Sequence, residues 1–101
     1  MSEGLKFDIG KVPLELLPVE ALIEIAKVMA FGAEKYGRHN WRKGMAWSRL
    51  VGAILRHLFA WMLGEDKDPE SGLSHLAHAG CDLLFLLTYE LKELGTDDRF
   101  Q

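Results

Sequence analysis

Residues 48–63, SRLVGAILRHLFAWML, are apolar on almost every side of a helix. Leu50, Ile54, Leu58 and Trp61 form one stripe at helical spacing, and Val51, Leu55, Phe59 and Met62 form another. Only Arg49, Gly52 and Arg56 leave a polar strip between them. Ser48 stands where an N-cap belongs and Gly64 where a helix stops. A helix with so narrow a wet face must be central in its fold or covered by another subunit. A chain of 101 residues can build one core and little more, so the second option is expected: a homo-oligomer, dimer or tetramer.

Two further segments have a helical period. In 18–36, Pro18 suits a first helical position, where its missing N–H would be unpaired anyway. Leu22, Ile25, Ala26, Met29, Ala33 and Tyr36 then share one face, with Glu20, Glu24, Lys27 and Glu34 opposite and Gly37 as C-cap. In 74–94, Ser74 caps a helix that Gly95 ends. Its expected core face is Leu76, Leu83, Leu84, Leu87, Leu91 and Leu94. Residues 1–18 read as an extended arm, with Phe7, Ile9, Leu14, Leu16 and Leu17 lying on the helical body; the TDDRFQ tail reads as frayed. No repeat or linker divides the chain. The expectation is one all-α domain over 1–101, a small bundle of three main helices (18–36, 48–63, 74–94) with an N-terminal arm.

Bulk properties exclude several functions. Net charge is −3, so no nucleic acid polymer is expected as partner, and any phosphate must be held locally. The single cysteine, Cys81, lies in an apolar run, which excludes a disulfide framework and fits a reducing compartment. No apolar run approaches the roughly 18–20 residues of a membrane span, so no membrane partner is expected either. These features suggest a cytoplasmic domain.

The chemistry gathers in Arg56–Asp82, which carries three of the four histidines. His57 sits inside the Leu50–Trp61 stripe, either as a hydrogen-bonded core residue or as a ligand. His75, His78 and Asp82 recur at i, i+3 and i+7, within about 60° of one another on a helix. Tyr89 and Glu93 continue that polar stripe. Glu20 and Glu24 are one turn apart and could share a divalent cation or simply form a solvated acidic face. The 65–74 loop offers Asp66, Asp68 and Glu70 to reach back over a site, without the ligand pattern of an EF-hand. Imidazoles with carboxylates suit a divalent metal, and the absence of cysteine pairs argues against structural zinc. The loop KYGRHNWRKGMAW mixes Lys35, Arg38, Arg42 and Lys43 with Tyr36, Asn40, Trp41 and Trp47. Guanidinium forks grip phosphate, indoles stack on bases and an amide reads a base edge, so the loop suits an anionic, flat ligand. The bland alternative is that both tryptophans plug the bundle. Lys11, beside Gly10, and Arg56 complete the candidate phosphate cations. No Gly-x-Ser-x-Gly, His-Glu-x-x-His, Walker or Rossmann motif is present.

Together, FGAEKYGRHNW, RHLFAW and DPESGLSHLAHAGCDLLFLL resemble the N-terminal domain family named for phage dATP/dGTP diphosphohydrolases, grouped with the MazG-like all-α nucleoside triphosphate pyrophosphatases. The resemblance spans roughly Lys6 to Leu94. It implies an oligomeric, metal-dependent enzyme that splits a (d)NTP between the α and β phosphates, in the host cytoplasm if phage-encoded. MazG-like enzymes carry an E-x-x-E pair and a later E-x-x-D; Asp82 resembles that aspartate. Ala79 stands where the later glutamate would be, and the early pair is Glu20-x-x-x-Glu24, so His75 or His78 would replace a carboxylate. On this reading Mg²⁺ or Mn²⁺ lies among Glu20, Glu24, His57, His75, His78 and Asp82, with Glu24, His78 and Asp82 catalytic. Lys11, Lys35, Arg38, Asn40, Trp41 and Arg56 bind the substrate. The alternative is a non-catalytic helical module binding a nucleotide or a protein.

Overall fold

A computed structural model describes residues 10–100 of the chain. Three helices carry the fold: α1 (Val19–Tyr36), α2 (Trp47–Met62) and α3 (His75–Lys92). Single 3-10 turns at Leu14–Leu16 and Asn40–Lys43 precede α1 and α2. Helix α3 is central, packing against both α1 and α2. Among the described residues there is no strand, only isolated bridges, and no helix long and apolar enough to cross a membrane.

The helix ends shift from expectation for local reasons. Pro18 is the N-cap of α1, one residue before the first helical position, and Gly37 closes the helix at φ 94° with its N–H on the Ala33 carbonyl. Ala46, not Ser48, is the N-cap of α2. Ser48 lies inside the first turn, where its N–H donates to Asp98 Oδ1 at 2.9 Å and its hydroxyl to Asp98 Oδ2. The Asp98 carboxylate thus sits at the positive end of α2. Ser74 does cap α3, accepting from the Leu76 N–H at 3.1 Å, but α3 ends early at Glu93, which adopts φ 57°.

The tail is therefore docked, not frayed. Trp47 N–H donates to the Thr96 carbonyl at 3.0 Å and Trp47 Nε1 to the Leu94 carbonyl at 2.8 Å. The backbones of Gly44 and Gly95 touch: a Cβ on Gly95, at φ 73°, would lie 2.3 Å from the Met45 carbonyl oxygen. Only two residues without side chains permit that approach.

Val28, Ala77 and Cys81 form the core, with Ile25, Met29, Leu73 and Phe85 packed against them. Tyr89 is fully buried and its hydroxyl donates to the Trp41 carbonyl. This reverses the expected orientation of α3. His75 and Tyr89 of the polar stripe face inward, whereas Leu76, Leu83, Leu84, Leu87 and Leu91 are exposed, Leu83 at 56% and Leu91 at 71%. The inward stripe is tolerable because its polar atoms find partners; among the described residues no buried side-chain polar atom lacks one. On α1 the burial also rotates, with Val28 inside and Tyr36 exposed. Leu14, Leu16 and Leu17 are exposed and do not lie on the body, while Phe7 and Ile9 fall outside the described residues.

Candidate functional site

A cleft of about 700 Å³ opens between the C-terminal half of α1, the 37–46 loop, α2 and α3. Eight of the residues predicted from sequence line it: Lys35, Arg38, Asn40, Trp41, Arg56, His57, His78 and Asp82. Arg42 and Arg49 line it too, so a protein of net negative charge concentrates cations on one concavity. Lys11, Glu20 and Glu24 do not reach it; Glu24 is exposed on α1 and pairs with Lys27 at 2.8 Å. The structure thus does not bring the early acidic pair to the histidines.

Trp41 lines the cleft but already carries stacking partners of its own. One face lies on Phe85, with centroids 4.3 Å apart at 14°, and the Arg42 guanidinium lies 4.4 Å from the ring centre. The indole is thus packed much as the plug alternative expected, while still lining the cleft. Tyr36 is the exposed ring of the loop, with the Lys35 ammonium 5.2 Å from its centre. Lys35 also donates to Glu70 at 3.0 Å, joining α1 to the 65–74 loop across the cleft mouth.

His57 and His78 line the cleft, and His75 meets them from outside its lining. His57 Nδ1 and His75 Nδ1 lie 2.9 Å apart, and His75 Nε2 lies 2.6 Å from Glu65 Oε1. A carboxylate can only accept, so His75 Nε2 carries the proton and its Nδ1 presents a lone pair. His57 Nδ1–H donates to that lone pair. His78 stacks on His57 at 4.6 Å and 12°, meets Phe31 edge-on, and pairs its Nε2 with Ser71 Oγ at 2.7 Å. Burial, with two neighbouring imidazoles, pushes the His57 pKa down; burial also pushes His78 down, against the pull of Asp68.

Asp68 reaches the cluster from the 65–74 loop. Its Oδ2 accepts the N–H groups of Glu70 (3.1 Å) and Ser71 (3.0 Å), an Asx-type turn. Its own N–H donates to the Leu73 carbonyl at 2.8 Å, so the carboxylate is fixed by its loop. Burial raises its pKa, but the Ser71 N–H and the His78 imidazole outweigh this and hold it low. Among the described residues, His57, Asp68 and His75 form the group whose donor atoms lie within 4.8 Å of one another. Adjacent ligands of an ion with bonds of about 2.1 Å stand about 3 Å apart when it is six-coordinate and about 3.4 Å apart when it is tetrahedral, so the imidazole pair needs little adjustment to hold a divalent cation. Sequence had offered Asp68 only as an acid able to reach the site, and Glu65 not at all. The Asp68-Pro69 turn was the available signal.

Asp82 stands apart from this group, deeper along α3. Burial pushes its carboxyl up to about 6, with Arg56 pulling the other way. Near pH 7 it is therefore a charged but markedly basic carboxylate.

Comparison with known proteins identifies the family. The family described as "dATP/dGTP diphosphohydrolase, N-terminal" matches residues 1–99. A protein of Salmonella phage PMBT28 named dATP/dGTP diphosphohydrolase is 42% identical over 96 residues, covering 95% of this chain and 33% of that protein. The chain thus spans about a third of that relative's length. No solved structure matches. By its match over nearly its whole length, this chain belongs to the dATP/dGTP diphosphohydrolase N-terminal family.

Proposed function

We propose that this domain hydrolyses (deoxy)nucleoside triphosphates to the monophosphate and pyrophosphate, with dATP and dGTP as first candidates. The observation carrying the proposal is the cleft itself. Lys35, Arg38 and Arg56 converge there beside a basic carboxylate and a group fit to hold a cation. The relative's printed name supplies the purine nucleotides.

Mg²⁺ or Mn²⁺ held by His57, Asp68 and His75 would neutralise phosphate charge and lower the pKa of the attacking water. The chain's own groups do the rest. Arg56 and Arg38 grip phosphate oxygens, and Lys35 exchanges Glu70 for the triphosphate. Asn40 offers its amide to a base edge. Asp82 accepts the proton as water oxygen bonds to the α phosphorus, while the bond to the α–β bridging oxygen breaks and pyrophosphate leaves. Incubating the protein with each dNTP and Mg²⁺ or Mn²⁺ should yield monophosphate and pyrophosphate in equal amounts. Neither product from any nucleotide would end the proposal. The second reading is a binding module that takes up nucleotide without turnover, as a chain spanning a third of its relative could.

The exposed leucines motivate a second part of the proposal, a homo-oligomer. Leu83, Leu86, Leu87, Val51 and Trp47, with Phe100 of the tail, line an apolar groove of about 420 Å³ that includes none of the histidines. A second copy of this face, meeting it about a two-fold axis, buries that surface. Leu83→Glu should reduce the mass seen by sedimentation to that of one chain, leaving helicity intact. An unchanged mass, or a wild-type chain that is already single, would discard the oligomer and leave the hydrolase reading untouched.

A further inference from the structure

Resting on the cation in the proposed function, we infer that the His57–Asp68–His75 group selects a first-row transition ion over Mg²⁺, with Glu65 as its positioning residue.

Mg²⁺ prefers oxygen ligands and keeps much of its water, whereas imidazole nitrogen favours Mn²⁺, Co²⁺ and Zn²⁺. Here two of three donors are imidazole nitrogens. A site for Mg²⁺ would place carboxylates where these stand, and the available ones on α1, Glu20 and Glu24, lie outside the cleft. The donors are also built in place. His75 is only 4% exposed, and a histidine that deep needs both ring nitrogens occupied. Glu65 accepts a hydrogen bond from His75 Nε2–H, which leaves the Nδ1 lone pair facing His57, an arrangement typical of carboxylate–histidine–metal sites. His57 keeps a choice of tautomer: it donates to His75 when the ion is absent and moves its proton to Nε2 when the ion arrives. Asp68 is fixed by two backbone N–H groups on the oxygen Oδ2, which leaves Oδ1 for a ligand. His57 and Asp68 both line the cleft and His75 does not, so a bound ion has open positions facing the substrate.

The simpler account of the same atoms is a hydrogen-bonded histidine pair, and an experiment without nucleotide separates the two. Protein stripped with EDTA should bind one Co²⁺ per chain with a visible d–d absorption band. Zn²⁺ should displace it, and Mg²⁺ should need an excess of about 100-fold or more. Glu65→Ala should weaken Co²⁺ binding about 10–100-fold, and Glu65→Gln, which keeps an uncharged acceptor, should recover part of that. Glu65 is largely exposed, so both variants should fold. No band, Mg²⁺ competing on equal terms, or Glu65→Ala binding like wild type would each overturn the inference. Because the readout is the ion alone, a failure of dNTP turnover does not mimic any of these results.

Discussion

Asp82→Asn is expected to lower dNTP turnover by about 10²–10⁴-fold, the usual contribution of a positioned general base. The same change should make the protein more stable. Burial holds the Asp82 carboxyl at about 6 against an ordinary 3.8. A raised carboxyl contributes stability that is fully present below its unfolded value and lost as pH rises through its folded one. Wild type should therefore weaken between about pH 4 and 6, while the asparagine variant should not. At 1.36 kcal/mol per unit the full shift is about 3 kcal/mol, and partial solvent access reduces this to about 2 kcal/mol above pH 6. That is about 10 °C in Tm for a chain of this size. Wild-type turnover should in turn rise with a midpoint near pH 6. An asparagine variant that keeps its turnover would remove Asp82 from the chemistry. Equal melting at pH 7.5 would remove the buried charge as a cost.

Gly95→Ala should be the most damaging conservative change outside the cleft, at about 3 kcal/mol. Its Cβ would meet the Met45 carbonyl oxygen at 2.3 Å and the Met45 nitrogen at 3.1 Å, both backbone atoms that cannot step aside. It must also hold a positive φ, and so must Gly64, which has open space where a Cβ would go. Gly64→Ala should therefore cost only the conformational part, about 1 kcal/mol. Chemical denaturation of the pair measures the difference. If the two variants lose the same stability, the contact between the 37–46 loop and the tail is not tight in solution.

Much of this architecture was legible in the sequence, and the failures share a cause. Helical period and caps placed three helices within a residue or two of 19–36, 47–62 and 75–92. They showed which faces are apolar, but not which face is covered. Leu83 and Leu87 satisfy every pattern for a core, yet α3 turns His75, Cys81 and Tyr89 inward instead. One bundle of this size cannot bury all its apolar stripes, and periodicity does not say which stripe yields. The site divides the same way. His57, His78 and Asp82 all line the cleft, and all three lie on helices whose period was readable. Asp68 and Glu65 enter through loop hydrogen bonds, and no spacing rule for helices reaches them. For Trp41 the sequence offered both packing and chemistry, and only the fold shows that Phe85, from distant chain, and the adjacent Arg42 lie against its ring.

Cys81 has a consequence of a different kind. It is 3% exposed between α1 and α3, at the back of the cleft, and burial pushes its thiol up to about 12. Almost none of it is thiolate at neutral pH, and thiol reagents attack the thiolate. Its alkylation therefore waits for α1 to part from α3, and the chain carries a clock that ticks once per opening. A ligand wedged between those helices would slow the clock, so occupancy of the cleft is written into the reactivity of a residue with no part in the chemistry.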